Sequence, residues 1–80
     1  MYFLYIMRCE DDSLYTGITT DVERRFKEHS SGKGGHYTRA HKVVEVLYVE
    51  ECENRSEAQK REAEVKKLSR EEKLSLIARP

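Results

Sequence analysis

Two tyrosines ten residues apart, an arginine ten further on and a glutamate on an apolar helix stripe are the side chains best suited to chemistry. They are Tyr5, Tyr15, Arg25 and Glu62. A phenol can orient or deprotonate an attacking water. A guanidinium clamps a phosphate with its planar fork and offsets charge in a transition state. A single carboxylate can hold one hard cation, with water and substrate oxygens filling the rest of its shell. Together these groups suit the cutting of a phosphodiester. Each also has an ordinary structural use. Strand tyrosines usually pack with the hydroxyl at the rim, and a helix arginine usually sits at the surface.

The elements that must position these groups can be read from apolar period and turn chemistry. Tyr2 to Arg8 is aromatic and large apolar and reads as a well-buried strand. Glu10-Asp11-Asp12-Ser13 is a turn cluster, and Leu14 to Ile18 is the returning strand. A two-residue turn would put Tyr5 and Tyr15 on opposite faces. A three-residue loop, Glu10 to Asp12, pairs Met7 with Tyr15 and Tyr5 with Gly17. The chemistry requires the second, with Asp12 near the left-handed region that aspartate tolerates. Gly17 marks a bend or a close backbone approach.

Thr20 and Glu23 have the spacing of a capping box, opening a helix from about Asp21 to Ser30. Val22 and Phe26 fix its buried side, and Arg25 and His29 share a face at i, i+4. Arg25 flanks the buried side, whereas Arg24 points away. Val43 to Glu50 reads as a third strand. Ser56 and Gln59 have the same spacing and predict a second cap, for a helix to about Leu68. Ser69 with Glu72 predicts a third, for a short helix carrying Leu74 and Ile77. The order β-β-α-β-α-α predicts an α+β fold, a three-stranded antiparallel sheet covered by helices.

In the helix from Ser56, Ala58, Glu62 and Val65 form one stripe, which should face the core. A carboxylate there costs desolvation unless a cation or hydrogen bonds offset it. Glu62 therefore either pairs with a lysine or arginine at the stripe's edge or has a task at a groove mouth beside Tyr5, Tyr15 and Arg25.

Eighty residues make one domain, residues 1–80, near the lower size limit for a single core. Cys9 and Cys52 have no zinc-type spacing and read as reduced thiols of a cytoplasmic protein. The first apolar run is too short for a membrane span. The formal charge is zero, but Arg24, Arg25, Lys27, Lys33, Arg39 and Lys42 are opposed only by Glu28. A local stripe of this kind can hold phosphates. In the same stretch, His36-Tyr37-Thr38-Arg39-Ala40-His41 interleaves aromatic and basic groups as nucleic-acid loops do. Gly17, Lys33, Tyr37, Arg39 and His41 are the expected nucleic-acid contacts.

The set resembles the GIY-YIG nuclease superfamily, and in particular its small stand-alone bacterial members. Phe3-Leu4-Tyr5 stands for the first tripeptide and Tyr15-Thr16-Gly17 for the second. Arg25 follows the glycine by the family's eight residues, His29 comes one turn later, and Glu62 matches the metal-binding glutamate. The match runs from Met1 to about Leu68. Phe3 and Leu4 replace the motif's Gly and Ile, and Ile18 stands where some members carry a lysine. The resemblance implies a monomeric endonuclease for structured, branched or damaged DNA, serving repair or recombination, with a protein partner for targeting. Glu62 would hold Mg²⁺ or Mn²⁺ weakly, Arg25 would stabilise the phosphate, and one of the two tyrosines would handle the water. The alternatives are a nucleic-acid-binding module of the same fold without cleavage, and a protein-interaction domain.

Overall fold

The computed structural model describes residues 1–30 and 42–78. Strand β1 (Tyr2–Cys9) lies at the centre of a three-stranded antiparallel sheet, between β2 (Leu14–Thr19) and β3 (Val43–Cys52). Leu4, Tyr5, Ile6 and Met7 are all fully buried. A strand covered on both faces needs an unbroken apolar run, which is what β1 has.

The three-residue loop is present. Cys9 N–H donates to Ser13 C=O (2.9 Å), and Asp12, the residue with positive φ (72°), donates back to Cys9 (2.9 Å). Asp11 fixes the turn by accepting from the Ser13 hydroxyl (2.6 Å) and its N–H (3.1 Å). Tyr5 consequently pairs with Gly17, and Met7 with Tyr15. The two phenols are on one face.

Helix α1 (Val22–Ser30) covers that face, where Val22 and Phe26 pack against Tyr5, Met7, Cys9 and Val43. Helix α2 (Arg55–Lys66) covers the other, placing Ala58 and Val65 on Leu4 and Ile6. Leu76 and Ile77 of α3 (Arg70–Ala78) join the second layer. The cysteines are free and belong to opposite layers, Cys9 under α1 and Cys52 under α2. No helix among the described residues is long and apolar enough to cross a membrane.

Two of the three predicted caps move. Asp21, not Thr20, caps α1, accepting from Arg24 N–H at 3.0 Å. Thr19 is still in the strand and its hydroxyl accepts from Asp21 N–H (3.1 Å), so the chain turns one residue later than predicted. Asn54, not Ser56, caps α2, accepting from Glu57 N–H at 2.9 Å. Because β3 runs on to Cys52, the helix must begin almost at once, and Asn54 is both in place and a strong cap. The third is as predicted: Ser69 and Glu72 form a reciprocal capping box, with bonds of 3.2 and 2.9 Å.

Candidate active site

The site begins with the cross-strand pair Tyr5–Gly17. The Tyr5 ring lies across the glycine, where a Cβ would stand 2.6 Å from the ring's Cζ and still closer to the hydroxyl. Only a residue without a side chain lets the phenol take this place. Gly17, expected to contact nucleic acid, is buried, and its close neighbour is the Tyr5 ring.

Held there, the Tyr5 hydroxyl meets Nε2 of His29 at 3.2 Å. Both residues are fully buried. Tyr15 completes a cluster of three rings, with its centroid 4.8 Å from His29 in an edge-on contact and 6.1 Å from Tyr5. Tyr15 keeps part of its surface open. The contact with a phosphate open to His29 on sequence grounds is not available to a fully buried ring. Any influence of His29 on bound substrate passes through the tyrosines it touches.

Arg25, one turn before His29, is partly buried with its charge near the Tyr5 phenol, whereas Arg24 is exposed. Its Nη1 also reaches Glu28 Oε1 at 3.3 Å. Burial disfavours the cation, but the neighbouring Tyr5 phenol and Glu28 carboxylate outweigh this and hold Arg25 above its usual range. Its Nε is buried with no hydrogen-bond partner among the described residues. In the sequence Glu28 stands out only as the lone acid of a basic stripe. Its i, i+3 spacing from Arg25 is the signal that it orients the guanidinium.

Glu62 is placed differently from the other four. Its stripe does face the sheet, through Ala58 and Val65, but it faces the Leu4–Ile6 side. The tyrosines, Arg25 and His29 are on the α1 side. The physical reason is that a helix stripe specifies burial, while strand alternation decides which face does the burying. Glu62 itself pairs with Lys66 Nζ at 3.2 Å, with its side chain 23% exposed. Among the described residues no three His, Cys, Asp or Glu side chains converge as a metal cage. Lys33, Tyr37, Arg39 and His41 lie outside the described residues.

The buried pair gives the fold a pH signature. Burial, then the nearby Tyr15, push the Tyr5 phenol up to about 12, against the pull of Arg25. Burial, then the Arg25 charge, hold His29 below 6.5. The raised phenol stabilises the fold below its unfolded value of 10 and loses that contribution as pH rises from there to about 12. The depressed histidine does the reverse: its contribution is present above 6.5 and fades as pH falls through the folded value. Urea midpoints measured from about pH 5 to about pH 12 are therefore expected to fall at both ends. Tyr5→Phe should flatten the alkaline limb and His29→Gln the acid limb. Unchanged limbs in both variants would mean that neither group carries the effect.

Known proteins similar to this chain agree with its architecture. The GIY-YIG catalytic domain model matches residues 1–75. A UPF0213 protein of Clostridium perfringens is 49% identical over 78 residues, covering 98% of this chain and 84% of its own length. One from Cupriavidus necator is 51% identical over 77 residues, covering 96% and 84%. The solution NMR structure of a UPF0213 protein from Bacillus halodurans superposes with a TM-score of 0.62 at 44% identity, over 98% of this chain and 84% of that one.

Proposed function

We propose that this chain, which belongs to the GIY-YIG family, is a metal-assisted endonuclease that hydrolyses phosphodiesters in structured or damaged DNA. Membership in a family of nucleases supports the reaction class, and the substrate is our reading. The observation that carries it is Arg25. A guanidinium is held near a buried phenol with its side chain 30% exposed. A phosphate oxygen is the acceptor that suits such a planar fork best.

The tyrosines divide the work. Tyr5 is fully buried with a strongly held proton, so its part is to fix Arg25 and His29 in place. Tyr15 is partly open, and in this reading it orients the attacking water. Glu62 offers the hard, partly exposed carboxylate oxygen that Mg²⁺ or Mn²⁺ takes, a donor set that fits one weakly held ion. When bound, such an ion supplies Lewis-acid stabilisation of the departing oxygen. Lys66 must release the carboxylate for this to happen.

The test is Mg²⁺-dependent nicking of junction, flap and single-stranded DNA by the wild type and Glu62→Gln. The variant is expected to lose nicking and to keep its folding free energy within about 1 kcal/mol, since a partly exposed charge is removed and the shape is kept. Full nicking by Glu62→Gln would remove it from the reaction. The Glu62–Lys66 pair favours one second reading, a DNA-binding module without cleavage. Salt-sensitive DNA binding by a protein that never nicks would establish that reading instead.

A further inference from the structure

Helix α1 covers only part of its face of the sheet. Its apolar residues, Val22 and Phe26, pack with Met7, Cys9, Val43, Val46 and Tyr15 toward the hairpin end of β1. Toward the other end, alternation places Phe3 on the same face as Tyr5, about 7 Å along the strand. Phe3 pairs with Thr19 on one side and Glu51 on the other, and Val49 pairs with Tyr5. Among the described residues, Phe3 and Val49 belong to neither apolar layer. Val49 is 46% exposed, and Phe3 keeps part of its surface open. The fold has an aromatic ring here that neither layer uses, at the place where the GIY motif has a glycine.

We infer that Phe3, backed by Val49, is a stacking shelf for an unpaired nucleobase next to the phosphate held at Arg25 and Tyr15. The inference rests on the nucleic-acid reading of that site. The occupant is argued from the neighbours. Phe3 stands on the sheet face of Tyr5, the phenol beside Tyr15 and near Arg25, so that face offers a π-surface for a base and, further along, a phosphate donor, which is how single strands are gripped. Bases inside a duplex are stacked on one another and cannot lie on such a shelf. The shelf therefore selects nucleotides that are single-stranded, flapped or flipped. Glu51, across from Phe3, adds an acceptor for a base amino group and discourages a second backbone phosphate from settling there.

The chain contains no tryptophan, so Phe3→Trp gives a single tryptophan on the shelf, whose emission is read by excitation at the red edge, where the five tyrosines do not absorb. Titration at low salt should quench its emission with a single-stranded oligonucleotide and leave it unchanged with an abasic oligonucleotide of equal length. Phe3→Ala should weaken binding of the base-bearing strand by about tenfold or more. It should leave affinity for the abasic strand unchanged, and Phe3→Tyr should restore the loss. Equal weakening on both strands, or none, would overturn the inference and leave the nuclease reading intact. Binding is measured here without cleavage, so a protein that never nicks does not affect the result. If Phe3→Ala fails to fold, Phe3→Leu keeps the bulk without the π-face and should show the same base-specific loss. Sedimentation supplies the last arm: a wild-type dimer that Phe3→Ala splits, with no base-dependent quenching, would overturn the inference and make the shelf a contact between copies of this chain.

Discussion

Arg25→Ala should lower DNA cleavage by about 100- to 1,000-fold, the range seen when one preorganised donor to a developing anion is removed. Arg24→Ala should change it by less than about threefold, as expected for an exposed charge screened by salt. The two arginines are adjacent and identical in charge, and the helix separates them. Arg24 is solvent-exposed, with its backbone N–H on the Asp21 cap. Arg25 is partly buried between Tyr5 and Glu28. Arg25→Lys should recover little, because an ammonium keeps the charge and loses the planar fork. Single-turnover rates on one substrate would rank the variants. Equal losses for Arg24→Ala and Arg25→Ala would show that general basic charge is all the helix supplies.

The contrast between these neighbours was legible in the sequence because Val22 and Phe26 fix the buried side of α1. The hairpin register was legible for a similar reason. Only one loop length places both phenols together, and Asp12 can take the left-handed conformation which that loop needs. The partition of helices between the two faces was less legible. Tyr2 to Met7 is apolar at every position because both faces are covered, so the run carries no mark of which helix goes where. The stripe through Ala58 and Val65 shows the consequence: its inward direction was readable, and the face it would meet was not. The displaced caps have another cause. Thr20 and Ser56 have good cap chemistry, but the ends of β2 and β3 decide where each helix starts, and Asp21 and Asn54 stand there. His29 could be placed on the Arg25 face by spacing. Its complete burial depends on Tyr5 and Tyr15 closing over it from a hairpin that local pattern does not connect to the helix.

Gly17→Ala is expected to destabilise the fold by about 2–3 kcal/mol, the cost of forcing an extra methyl into a packed core. The sign makes this informative. In an ordinary strand, alanine in place of glycine is neutral or favourable by up to about 1 kcal/mol, since glycine loses more conformational freedom on folding. Here Gly17 has no unusual backbone angle to protect, and the obstacle is the Tyr5 ring, with Cζ 2.6 Å and Cε2 3.2 Å from where the methyl carbon would sit. The ring cannot yield freely, because it is fully buried and its hydroxyl is tied to His29. Gly17→Ala should therefore also break the Tyr5–His29 bond, loosen Arg25 and reduce cleavage. Tyr5→Leu removes both Cζ and the hydroxyl, so adding Gly17→Ala to that variant should cost far less than adding it to wild type. A coupling of at least about 1 kcal/mol between the two positions is expected from urea melts of the four proteins in the cycle. Additive effects would mean that the glycine serves the strand and not the tyrosine. The second motif's glycine would then owe its place to backbone freedom, and the phenol would have to be held by His29 and Arg25 alone.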